Sequence, residues 1–364
     1  MRILDLLNAK YLSALYETGT SVHLIGPPGG GKSSIACIDI PRILSDVFGE
    51  EFGVHKETVT TLDAPDARGF LFPAKDKDGR PIAMFTRSGI LPSREYLAEH
   101  PRGVMVLDER SHGQLLVQNA LAPGVLEKEF GNEKLPAGWW VISTSNRMED
   151  RAGVVRPPMQ LINREVTIPL QFDITSSAVW WEEKGLHPMG VAFAKSKPGI
   201  FADCVPKDPK PYCTPRSYTE AWKFLARVAG TDAAGNPRMH VPSNIIVQEI
   251  VAGLIGDGAA AETFAFLKVA DQLPTIEQVL ADPTGCKAPE RLDAGFAAVQ
   301  MCIHHAKPRT VDKLWAFIER LPKELQTSAA LSLIERNGGA LLNTPALGKW
   351  ISENRALIIS STRD

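Results

Sequence analysis

The sequence predicts an α/β protein built on a largely parallel five-stranded sheet and followed by helical segments. Three observations predict it. Short, mostly apolar runs alternate with helix-compatible stretches up to about residue 173. One strand-to-helix junction is a glycine-rich loop that ends in Lys32 and Ser33. Beyond residue 173 the strand signal fades and helical periodicity takes over. Near-continuous apolar strands separated by helices suit a parallel sheet covered on both faces.

Taken in order, Ile3, Leu4, Leu7, Tyr11, Leu12 and Leu15 share one helical face. Strands are expected at 21–26, 58–63 ("TVTTLD"), 103–107 ("GVMVL"), 138–144 ("GWWVIST") and 165–170 ("EVTIPL"). A helix is expected over 32–47, with Pro41 able to kink it. Between the second and third strands, "FLFPAKDKDGRPIAMFTRSGILP" reads as a hairpin insertion turning at Asp78-Gly79. Residues 174–196 read as helix and 197–214 as a Pro- and Lys-rich loop. Helices follow at 215–229, 243–256 and 258–271, then, after the punctuated stretch 281–290, at 291–306, 310–321, 323–336 and 345–358. No internal repeat interrupts the series. The expected domains are an α/β domain at 1–173, a helical domain at 174–275 and a helical extension at 276–364.

Composition narrows the class. The chain has 364 residues, is 44% hydrophobic and 23% charged, and balances 40 Lys+Arg against 42 Asp+Glu for a formal charge of −2. That leaves no global field to recruit nucleic acid or anionic lipid. No apolar run is long enough to span a bilayer, and Asp5 and Asn8 inside the N-terminal pattern argue against a signal peptide. Five scattered cysteines (37, 204, 213, 286, 302) suit reduced thiols. A cytoplasmic location is the expectation.

Gly26-x-x-x-x-Gly31-Lys32-Ser33 is a full phosphate-binding loop pattern, with a strand before it and a helix after it. Gly26, Gly29, Gly30 and Gly31 allow backbone N–H groups to turn around an anion, and Pro27 and Pro28 stiffen the loop's entry. The helix N-terminus that carries Lys32, Ser33 and Ser34 adds partial positive charge. The pattern points to a bound nucleotide, with Lys32 on the β- and γ-phosphates and Ser33 on Mg²⁺. "GVMVLDE" delivers Asp108 and Glu109 to the end of an apolar strand. There Asp108 is the candidate Mg²⁺ ligand and Glu109 the candidate group that orients and polarises water. "GWWVISTSNR" ends another strand in Ser143, Thr144, Ser145 and Asn146. Asn146 is either a turn former or a hydrogen-bond donor to the γ-phosphate or the water.

Together these segments resemble the AAA+ ATPases, and within them the MoxR-like and dynein-related branch, over about residues 15–225. The strongest parts are the phosphate loop, "VMVLDE" and "STSNRMEDRAGV". The resemblance implies a P-loop core with a helical lid, and assigns Gly26–Ser33 to Walker A, Asp108 and Glu109 to Walker B and Asn146 to sensor 1. "MQLINREVTI" looks like the segment that carries the family's arginine finger, which makes Arg164 the candidate; as a lone arginine it would read as a surface residue at a helix end. "CTPRSYTEAW" looks like sensor 2, with Arg216 near the start of a lid helix. Arg147, Arg151 and Arg156 crowd the same region, and one of them is a candidate second trans arginine. Two features depart from the family: the run of three glycines, and Ser-His after "DER" where alanine or proline often stands.

Phe70 and Phe72 either form a pore-facing apolar loop or pack under the hairpin. Trp139 and Trp140 read as core. His304-His305 does not resemble a metal site, and Lys195, Lys197, Lys207 and Lys210 form a mild basic stretch of the kind a solvated loop carries. The expectation is an ATP hydrolase that assembles into a ring, hexameric by resemblance, with ATP at subunit interfaces. It would remodel a protein client alongside a von Willebrand factor A-domain partner. The alternative is a nucleic-acid-associated motor of the same superfamily, such as a helicase, clamp loader or restriction-type translocase.

Overall fold

A computed structural model of the chain describes residues 6–150, 153–201, 206, 210–233, 235–336, 341, 344–355 and 358. Ile3, Leu4, Arg151, Cys204 and Lys207 lie outside the described residues. The chain divides into two compact units, the first running to Asp173 and the second beginning at Ile174. No helix among the described residues is long and apolar enough to cross a membrane.

The strands are β1 (Val22–Ile25), β2 (Gly53–Thr58), β3 (Leu71–Lys75), β4 (Pro81–Phe85), β5 (Gly103–Asp108), β6 (Glu129–Phe130), β7 (Glu133–Lys134), β8 (Trp139–Ser145) and β9 (Val166–Pro169). Five of them form one sheet in the order β2-β5-β8-β1-β9, with every pair parallel. Side-chain alternation explains the apolar runs. Val104 and Val106 of β5 and Trp140 and Ile142 of β8 pack on one face, beside the helix that follows β1. Met105, Leu107, Trp139 and Val141 pack on the other face, against helix Leu115–Glu127. Both tryptophans are core residues, as the sequence indicates. Parallel register brings the carboxyl ends of β1, β5 and β8 to one edge, since Ile25 pairs with Ser145 and Leu107 with Ser143. In open α/β sheets that edge is where ligands bind.

One strand-level expectation needs correction, and the helix after the loop carries an unexpected turn. The second strand is Gly53–Thr58 rather than 58–63, and Val59–Thr61 form a 3₁₀ turn. The strand lies at the sheet edge, where polar His55, Lys56 and Glu57 are tolerated. The β-branched run misleads because Val59 is a buried anchor of the turn. The helix after the loop is continuous from Lys32 to Phe48, but Ile35–Asp39 are π-helical, with Ile40 N–H bonded to Ile35 O. The widened turn sits immediately before Pro41, which has no N–H to give.

The hairpin forms as expected, β3 against β4 with Gly79 at φ 79° in its turn. Phe70 and Phe72 do not pack beneath it: they are 62% and 60% exposed. Leu71, Met84 and Phe85 are exposed with them.

The second unit is helical. The expected helix over 174–196 is two, Ile174–Glu183 and Pro188–Ser196. Gly185 turns left-handed between them (φ 69°), and His187 caps the second by accepting from Met189 N–H. Further helices span Pro215–Ala229, Ile245–Ile255, Asp257–Ala270, Ile276–Ala281, Leu292–His305, Val311–Ile318, Lys323–Arg336 and Pro345–Glu353. Leu292–His305 packs against Pro188–Ser196. Glu182 accepts from both Lys195 Nζ and Gln300 Nε2 at 2.9 Å. Gly190 lets Trp222 approach so closely that an added Cβ would lie 2.7 Å from its ring.

Candidate nucleotide site

The loop after β1 uses its glycines for two different reasons. Gly29 and Gly31 sit at φ 70° and 83°, a region that side-chain-bearing residues rarely adopt. At Gly26 the need is space, because a Cβ there would lie 2.9 Å from Leu170 O beside β9. A Cβ at Gly31 would meet nothing within 4 Å, so that side of the loop is open. Lys32 is buried, and its Nζ donates to Gly26 O (2.9 Å), Pro27 O (2.7 Å) and Asn146 Oδ1 (2.9 Å). The loop and the end of β8 are thereby tied through one ammonium. Ser34 is exposed.

Asp108 is the centre of a second set of contacts. Its Oδ1 accepts from Ser33 Oγ at 2.7 Å and from the Thr144 hydroxyl, and its Oδ2 lies 2.6 Å from Lys56 Nζ. Burial works against its charge, but Lys56 and the two hydroxyls outweigh that and hold the carboxyl below the usual range. Lys56 in turn is raised, chiefly by its hydrogen bond to Asp108. An ionised carboxylate beside one hydroxyl is the sparse protein donor set that suits Mg²⁺, which keeps waters and takes phosphate oxygens for the rest. Asp108 and Ser33 fit that ion.

Glu109 follows with its side chain exposed and its backbone in the left-handed region, φ 55° and ψ 34°. Its N–H donates to Thr144 Oγ1 at 3.3 Å. Asn146, half-buried, accepts from Lys32, and its Nδ2 lies 3.3 Å from His112 Nε2. The first unit thus pairs Lys32 with Asn146 and Ser33 with Asp108, and the two pairs are neighbours because Lys32 and Ser33 are adjacent in the chain. Arg164 is exposed just before β9, and Arg216 is exposed in the first turn of Pro215–Ala229 in the second unit. Arg147 is held by Asp150, Nη2 to Oδ1 at 2.7 Å, whereas Arg156 is exposed.

Behind this edge lies a buried polar network that the sequence reading missed. Arg110 is fully buried, and its guanidinium grips both oxygens of Glu165 at 2.6 Å. It also donates to Ser143 Oγ (3.2 Å) and His23 Nδ1 (2.9 Å). Burial pushes the Glu165 pKa up, but the Arg110 guanidinium overcomes it and brings it down to about 2. Burial, with the nearby Arg110 charge, lowers the pKa of His23. A neutral His23 accepts at Nδ1 and donates from Nε2 to Ser145 Oγ at 2.8 Å. The available signal was a histidine between Val22 and Leu24 in an otherwise apolar strand.

No protein-family model matches the chain, and no curated protein matches it. Solved structures give weak likenesses. NtrX from Brucella abortus is 14% identical over 89% of this chain and 66% of its own, with a TM-score of 0.36. A RuvB mutant from Thermotoga maritima is 15% identical over 71% of this chain and 66% of its own, at 0.37. Hsp104, solved with ATPγS and casein, is 16% identical over 73% of this chain and 46% of its own, at 0.35. The chain therefore spans two thirds or less of each of these proteins. At scores this low, the function is carried by the site's own geometry.

Proposed function

We propose that the first unit binds and hydrolyses ATP as an AAA+ ATPase. The observation that carries this reading is the convergence of Lys32, Ser33, Asp108 and Asn146 from the loop, β5 and β8 on one patch of the sheet's carboxyl edge. In this reading the glycine loop holds the phosphates and Lys32 exchanges its carbonyl partners for phosphate oxygens. Ser33 and Asp108 hold Mg²⁺, which supplies charge neutralisation on the phosphates. Glu109 orients and polarises the attacking water, and Asn146 positions it. Thr144 joins this group as a residue that keeps Asp108 aimed.

Arg164 acts from a neighbouring copy, so the active form is a ring, and Arg216 has the sensor 2 role on a lid formed by 174–275. Residues 276–364 form a helical C-terminal extension. The MoxR-like reading, remodelling of a protein client with a von Willebrand factor A-domain partner, rests on the resemblance of the motifs. The exposed apolar hairpin carrying Phe70 and Phe72 supports a client-contacting role.

The test is turnover and nucleotide affinity measured on the full chain across protein concentration. Specific activity should rise as rings form. Arg164→Ala should lower turnover by at least about 10³-fold while ATP affinity holds. A concentration-independent monomeric ATPase would remove the trans role of Arg164. Steep, salt-sensitive stimulation by DNA would favour the nucleic-acid motor.

A further inference from the structure

Glu109, Asn146 and Arg164 are each joined by a peptide bond to a member of the buried network: Arg110, Ser145 and Glu165. We infer that Arg110 is a positioning residue which, through Glu165, His23 and Ser145, locks the water-activating end of the sheet to the segment bearing Arg164, so that the cis and trans parts of the site are set by one rigid connection. This rests on the ATPase reading of Glu109, Asn146 and Arg164.

The geometry of Arg110 carries the inference. It begins beside Glu109 at the carboxyl end of β5, yet its guanidinium reaches His23 within β1 and Glu165 at the start of β9. A lysine has no planar fork with which to hold both carboxylate oxygens while also reaching Ser143 and His23. A buried ion pair is weak evidence for stability, since apolar residues of similar volume often serve the fold as well. Arg110 Nε is also left without a hydrogen-bond partner. The arrangement is therefore a poor way to stabilise a core and a good way to fix directions.

The backbone beside it needs fixing. Glu109 in the left-handed region costs on the order of 1–3 kcal/mol and persists only where its surroundings hold it. They do so on both sides. Glu109 N–H reaches Thr144 Oγ1, and Ser111 N–H reaches Ser145 Oγ at 3.0 Å. Ser145 Oγ in turn accepts from His23 and donates to Ser111 Oγ at 2.8 Å. At the far end, Glu165 is gripped by Arg110 and Val166 N–H pairs with Ser21 O at 2.9 Å, which leaves Arg164 on an anchored stub.

The experiment uses the full chain with Arg110→Met/Glu165→Met, which removes both charges together. The melting temperature should stay close to that of the unsubstituted protein, and nucleotide Kd should be unchanged. Turnover should fall by about tenfold, as misplacement of a catalytic group predicts. Arg110→Lys with Glu165 intact should not restore it. A folded double variant that keeps its turnover within about twofold overturns the inference, because positioning losses are larger than that. If the double variant does not fold, Ser145→Ala decides: turnover about threefold lower at unchanged Kd supports the connection, and unaltered turnover refutes it. Absence of ATP binding and turnover in the unsubstituted protein would instead remove the ATPase reading, and this inference with it.

Discussion

Asp108 and Glu165 are both buried carboxylates held in the charged form, and they are held in opposite ways. Asp108 is paired with Lys56, whose side chain is 43% exposed, and with two hydroxyls that can rotate. Glu165 is clamped by a guanidinium with no exposure at all. In the proposed reading the partners of Asp108 give way to an incoming cation, and the partners of Glu165 stay in place. A group that must meet a ligand keeps mobile company, whereas a group that must hold a direction is given fixed partners.

Breaking the fixed pair should have the largest effect. Glu165→Gln leaves the Arg110 charge buried without its counterion and should destabilise the first unit by about 3–5 kcal/mol in urea unfolding. Loss below about 1 kcal/mol would mean that water reaches Arg110. Asp108→Asn should reverse the profile. Turnover should drop at least about a hundredfold, with stability little changed, because its partners are hydroxyls and a half-exposed lysine. Lys56→Met should cost less than about 1 kcal/mol after solvent screening, and the Mg²⁺ concentration needed for half-maximal nucleotide binding should fall as a competing cation is removed.

Acid sharpens the contrast. Both carboxyls have folded pKa values below their unfolded ones, so each stabilises the protein above its unfolded value and loses that contribution as pH falls. For Glu165 the loss runs from near pH 4.5 down to about 2. In Arg110→Met/Glu165→Met that part of the acid-unfolding curve should flatten, which denaturant melts between pH 5 and about 2 would read.

The candidate site was legible where one short stretch carries the motif. Gly26 to Ser33 and Asp108-Glu109 each announce themselves, because loop geometry and strand-end carboxylates are local properties. Lys56 was not legible, because its partner Asp108 stands on the neighbouring strand of the sheet and β2 hides as a polar edge strand. Arg110 was missed for a related reason: a charged residue after Asp-Glu reads as surface until the sheet brings Glu165 and His23 beneath it. The hairpin was placed correctly from Asp78-Gly79, yet the exposure of Phe70 and Phe72 depends on which surfaces remain uncovered once the chain has folded.

The central claim concerns Glu109, and one measurement reaches it most directly: ATP binding and ATP turnover in Glu109→Gln beside the unsubstituted chain. Bound ATP with turnover reduced by at least about 10²-fold is the expected pair of results. A variant that hydrolyses ATP as fast as the original would contradict the account.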